Sequence, residues 1–90
     1  MNNQRRKQLS VILEQLDALK SQAGTIMSDL ESVKDDEQDA FDNMPESLQD
    51  GDRGQAAQSA IDSLDDAYSE LESLVSSLDD IQSSISTAQE

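Results

Sequence analysis

The ninety-residue chain predicts an all-α fold: an antiparallel two-helix hairpin, coiled-coil-like, that dimerises into a four-helix bundle. Three observations predict it. Apolar residues recur in steps of three and four through both halves, and a single proline interrupts them near the middle. Glycine and proline total four residues, too few to punctuate a fold of many short strands. Apolar types are 34% of the chain and Phe41 and Tyr68 are its only aromatics, so one copy makes a marginal core and a partner subunit is expected. Residues 1–90 read as a single helical hairpin domain, with helices over about 4–43 and 53–88 and a turn over 44–52.

The first helix is carried by Leu9, Ile12, Leu16, Leu19, Ala23, Ile26, Leu30, Val33, Ala40 and Met44, a heptad series that only Glu37 breaks. Leu13, Met27 and Phe41 widen the stripe on one flank. Gly24 costs about 1 kcal/mol against alanine inside a helix, but the phase runs through it unshifted, so the reading is one long helix with a weak point. The second helix repeats the pattern with Ala57, Ala60, Leu64, Ala67, Leu71, Leu74, Leu78, Ile81, Ile85 and Ala88, widened by Ile61, Tyr68 and Val75. Its outer face is crowded with serine, an indifferent helix former, so this helix depends on packing. Each stripe is wider than a two-stranded seam requires, which is the argument for pairing two hairpins.

Between the helices, Pro45 ends the first, since it lacks an amide hydrogen and disfavours helical geometry at Met44. A short turn from Pro45 to Gln49 is expected with Asn43 as its cap, and Asp52 with Gln55 has the spacing of a capping box for the second helix. Folding about Gln49 places Phe41 beside Ala56, Ala57 and Ala60. Helices of about 35 residues would measure roughly 50 Å. The acids Asp35 to Asp42 oppose the dipole at the end of the first helix, a mismatch that structure alone does not account for.

Composition narrows the chemistry. Without cysteine or histidine there are no disulfides, thiolates, usual zinc ligands or histidine-based triads, and no cofactor is expected. No apolar run approaches membrane length, and Arg5, Arg6 and Lys7 precede an interrupted pattern unlike a signal peptide; the expectation is a soluble, cytoplasmic protein with no membrane partner. Asp50-Gly51-Asp52 lacks the spaced ligands and closing glutamate of a calcium loop and reads as a turn. Asp35, Asp36 and Asp39 with Asp62, Asp65 and Asp66 would be the residues for a magnesium site. The fold-back is not expected to bring the two groups level, and no cation beside them would hold phosphate, so a solvated acidic face is the preferred reading.

The charge itself is the stronger lead. From Gln8 onward three cations stand against twenty acids, a balance of −17. Direct nucleic-acid binding is disfavoured because phosphate contact needs lysine and arginine; a basic partner protein is the natural alternative. Seventeen charges over about 50 Å would be one per ~3 Å, against one per ~1.7 Å in duplex DNA. The expected contact surface comprises Asp35, Asp36, Asp39, Asp42, Glu46, Asp50, Asp52, Asp62, Asp65, Asp66, Glu70, Asp79 and Asp80.

The segment FDNMPESLQDGDRG, with RRKQL near the start, resembles a loose group of small acidic helical proteins encoded by phages and prophages, chiefly of Gram-positive bacteria. The shared motif is carried by Phe41, Asp42, Asn43, Met44, Pro45, Glu46, Leu48, Gln49, Arg53 and Gly54. The resemblance implies a mobile-element origin and a bacterial host. Small acidic phage proteins include DNA mimics that block host enzymes, which is the sharpest form of the expectation here: a non-enzymatic homodimer that binds a basic host or phage protein. The rival expectation is a structural or adaptor coiled coil that uses its apolar stripes for helix assembly.

Overall fold

The computed structural model describes all ninety residues. It contains three helices and no strand: α1 (Asn3–Asp42), the single turn α2 (Glu46–Gln49) and α3 (Asp52–Gln89). α1 and α3 lie antiparallel in a rod of 69 × 15 × 13 Å. At 1.5 Å per residue the 40 residues of α1 span about 60 Å, longer than the roughly 50 Å expected for about 35 residues, and α1 runs unbroken through Gly24 as expected. No helix is long and apolar enough to cross a membrane.

Cross-helix bonds fix the register. Lys20 pairs with Asp79 at 2.5 Å, Lys34 with Asp65 at 2.7 Å, and Gln82 Nε2 donates to Asp17 at 2.7 Å; the residue numbers of each pair total 99. This is close to the fold-back expected about Gln49. It also corrects two expectations, since Asp35 and Asp36 stand level with Leu64 and Ser63 and therefore beside Asp62 and Asp65, and Lys34, paired with Asp65, is a cation beside both groups. Even so, no three acids converge closely enough to hold a metal ion.

The seam between the helices is not centred on the main apolar stripe. Ala23, Ala57, Ile61 and Leu78 are buried, Leu13, Leu16, Met27, Leu30, Phe41, Leu64, Tyr68, Leu71 and Val75 are half-buried, and Lys20, Lys34, Gln82 and Gln89 occupy polar seam positions. The two lysines lay their aliphatic stems along the seam, with side chains 30% and 31% exposed, and reach across to aspartates on the other helix. At the open end Arg6 Nε donates to Gln89 O at 3.0 Å and Gln89 Nε2 returns a bond to Arg6 O at 3.1 Å.

The closed end rests on two residues whose roles are three-dimensional. Gln49 Nε2 donates to Phe41 O at 3.1 Å, which also accepts from Met44 N–H, and to Met44 O at 3.2 Å, tying α2 to the end of α1. Gly54 is buried where α3 passes over the backbone of Gln49; a Cβ there would fall 1.8 Å from Gln49 O. Two expected caps are corrected. Asn43 closes α1, its N–H bonding to Asp39 O, and is not the cap of α2. Gly51 is the N-cap of α3 without a side-chain bond, and Asp52 is already helical; Gln55 Nε2 bonds to Asp50 O at 3.5 Å, so the capping box does not form.

Candidate interaction surface

Both long helices present the same sequence of rows around the seam, because each offsets its residues by sevens. On α1, Asp17 and Glu31 lie three residues before the seam lysines Lys20 and Lys34; on α3, Asp65 and Asp79 lie three before Tyr68 and Gln82. Two right-handed helices running in opposite directions carry such rows to the same side of a hairpin. One long side is therefore polar, and the Lys20–Asp79, Lys34–Asp65 and Asp17–Gln82 bonds cross the seam on it. Each amine is held above the ordinary 10.5, first by its hydrogen bond to the aspartate; desolvation opposes this, and the charges of that aspartate and of neighbouring acids add a smaller upward push.

The opposite side is apolar and open. Ile12, Leu19, Ile26 and Val33 lie three residues after the seam positions Leu9, Leu16, Ala23 and Leu30, and Leu74 and Ile81 stand three after Leu71 and Leu78. These six side chains are 41–54% exposed, in a hairpin whose other large apolar residues are mostly tucked into the seam. Half of the stripe seen in the sequence is thus left uncovered by one chain. A row of this kind is more than the scattered apolar exposure of an ordinary surface.

All thirteen acids expected to form the contact surface are exposed. Asp65 and Asp79 are engaged by lysines, and Asp42 accepts from Gln38 Nε2 at 3.0 Å. The register gathers the charge along the rod in a way that sequence order conceals. Residues 29–70, which form the half nearer the turn, hold fourteen acids and two cations, a net of −12. The remaining residues hold six acids and four cations, a net of −2. Eleven of the thirteen expected residues lie in the acidic half; Asp79 and Asp80 stand apart in the other. The apolar row was not among the expected contact residues, although its signal was present in the stripe's excess width.

Most of the FDNMPESLQDGDRG segment is explained by the bend itself. Phe41 is half-buried at the closed end, Asn43 ends α1, Pro45 stops it, Gln49 bonds back to the carbonyls of Phe41 and Met44, and Gly54 allows the close passage. Comparison with known proteins finds no match: no family model, curated protein or solved structure is similar to this chain.

Proposed function

We propose that this chain is a non-enzymatic interaction protein of phage or prophage type, whose acidic half binds a basic surface on a bacterial host or phage protein. The observation that carries the reading is the charge distribution: −12 within about half of a 69 Å rod, on exposed side chains, with only Lys34 and Arg53 to offset it. That half reaches about one net charge per 3 Å, while the whole chain at −14 averages one per ~5 Å, well below duplex DNA. DNA mimicry of a nucleic-acid-binding or defence protein therefore draws on the acidic half or on a paired molecule. Two hairpins packed into a four-helix bundle would double the charge over the same length.

The second reading, a structural or adaptor coiled coil, is favoured by the open row of Ile12, Leu19, Ile26, Val33, Leu74 and Ile81. Salt separates the two. A partner retained by the immobilised chain should be released below about 0.3 M salt, where screening has shortened to a few ångströms, and Asp35, Asp36 and Asp39 changed together to Asn should weaken its capture. A partner that survives high salt and ignores those substitutions would overturn the electrostatic reading in favour of helix packing.

A further inference from the structure

We infer that the open apolar face is covered by a second copy of this chain, and that the two hairpins run in opposite directions, the turn of one beside the open end of the other. The inference rests on the pairing of hairpins put forward above and adds its polarity. One whole long side of the 69 × 15 Å rod, apolar row and polar rim together, has a footprint of about 1,000 Å² on each copy, the scale of a standard interface of about 800 Å² per partner.

Three observations select the direction. The first is charge: hairpins aligned the same way would bring their −12 halves together, whereas opposed hairpins set each −12 half against a −2 half. The second is bulk. Along α1 the row runs Ile12, Leu19, Ile26, Val33 and ends in Ala40 near the turn; α3 matches it with Leu74 and Ile81 at the same levels as Ile26 and Leu19, then Ala67 and Ala60. Aligned hairpins would face four large side chains at one level and four alanines at another, a wedge that close packing disfavours. Opposed hairpins pair Leu19 with the second copy's Val33, Ile26 with its own counterpart, and Ile12 with Ala40. Ile26 is the midpoint between Ile12 and Ala40, and Leu74 is the midpoint between Ala60 and Ala88; the register puts both at one level, where the twofold axis would pass.

The third observation is the rim. Asp29 and Glu70 stand level at the edge of this face, on different helices. Aligned hairpins stack α1 on the second copy's α3 and set Asp29 against Glu70, twice. Opposed hairpins stack like helix on like helix, and bring Asp29 near Gln22 and Glu70 near Ser77.

The chain has no cysteine, so Ser47→Cys at the exposed turn gives a single spin-label site. Sedimentation should show twice the 9.9 kDa chain mass. Dipolar spectroscopy on the dimer should give a separation of about 60 Å, some forty residues of helical rise. A dimer with labels about 20 Å apart would overturn the opposed arrangement and leave the pairing intact. A 9.9 kDa monomer, or an assembly larger than a dimer, would overturn the pairing itself. Ile26→Asp should leave the helical signal in place and abolish the dimer; a dimer that survives it uses another face.

Discussion

Gly24 and Gly54 both lie inside long helices, and the structure predicts that the same substitution acts on them in opposite directions. At Gly54 an added methyl would sit 1.8 Å from Gln49 O, 2.4 Å from its carbonyl carbon and 2.7 Å from its Cα. All three are backbone atoms, so no rotamer change relieves the overlap; the start of α3 must move more than 1 Å away from α2. That movement strains the closed end by about 1–3 kcal/mol. It also loosens the two bonds from Gln49 Nε2, worth about 1 kcal/mol each. Alanine's better helix propensity returns about 1 kcal/mol, leaving a net loss of about 2–4 kcal/mol. For a chain of this size that lowers Tm by roughly 10–30 °C. At Gly24 a Cβ would meet nothing within 4 Å, so only the propensity gain of about 1 kcal/mol remains. Thermal and urea unfolding followed by circular dichroism, at one fixed protein concentration, tests both. A Gly54→Ala variant as stable as the parent would refute the close-passage reasoning, since Gly24→Ala reports the propensity gain separately.

Phe41→Ala should cost about 2–3 kcal/mol by large-to-small loss of packing at the closed end, less than for a fully buried ring because Phe41 is only half-buried; unfolding curves unchanged from the parent would show that the ring contributes no packing. Alkaline titration tests the cross-helix bridges. Both lysine amines are held above 10.5 in the folded hairpin, so their contribution is complete below that value and fades as pH rises through the folded-state pKa. Tm should fall there, and a Lys20→Met, Lys34→Met double variant should fall less steeply; equal slopes would remove the bridges from the account.

Much of the hairpin is legible from Leu9 to Ala88 because period and proline are local signals: the stripes give the helices, and Pro45 gives the break. The choice of seam is not local. Periodicity shows how wide a stripe is without showing which edge meets the other helix, and Lys20 and Lys34 turn out to sit at the seam because their stems are long enough to pack while their amines reach Asp79 and Asp65. Gln49 and Gly54 were visible as turn-region residues, but their work depends on how closely α3 passes the end of α1. Asp52 and Gln55 had suitable spacing for a cap and lost the role to Gly51, one residue earlier. The acids were easy to see; their crowding into one half follows only from folding Asp62 to Glu70 back beside Asp29 to Asp42.

That crowding gives a single hairpin a large electric moment along its length. Approaching a positively charged body, such a rod experiences a torque as well as an attraction, so it turns bend-first before the surfaces touch. Two rods laid in opposite directions cancel the moment, and the pair would then arrive broadside. The geometry of encounter, and with it which face of the target is occluded, is thereby tied to whether the molecule travels alone or doubled.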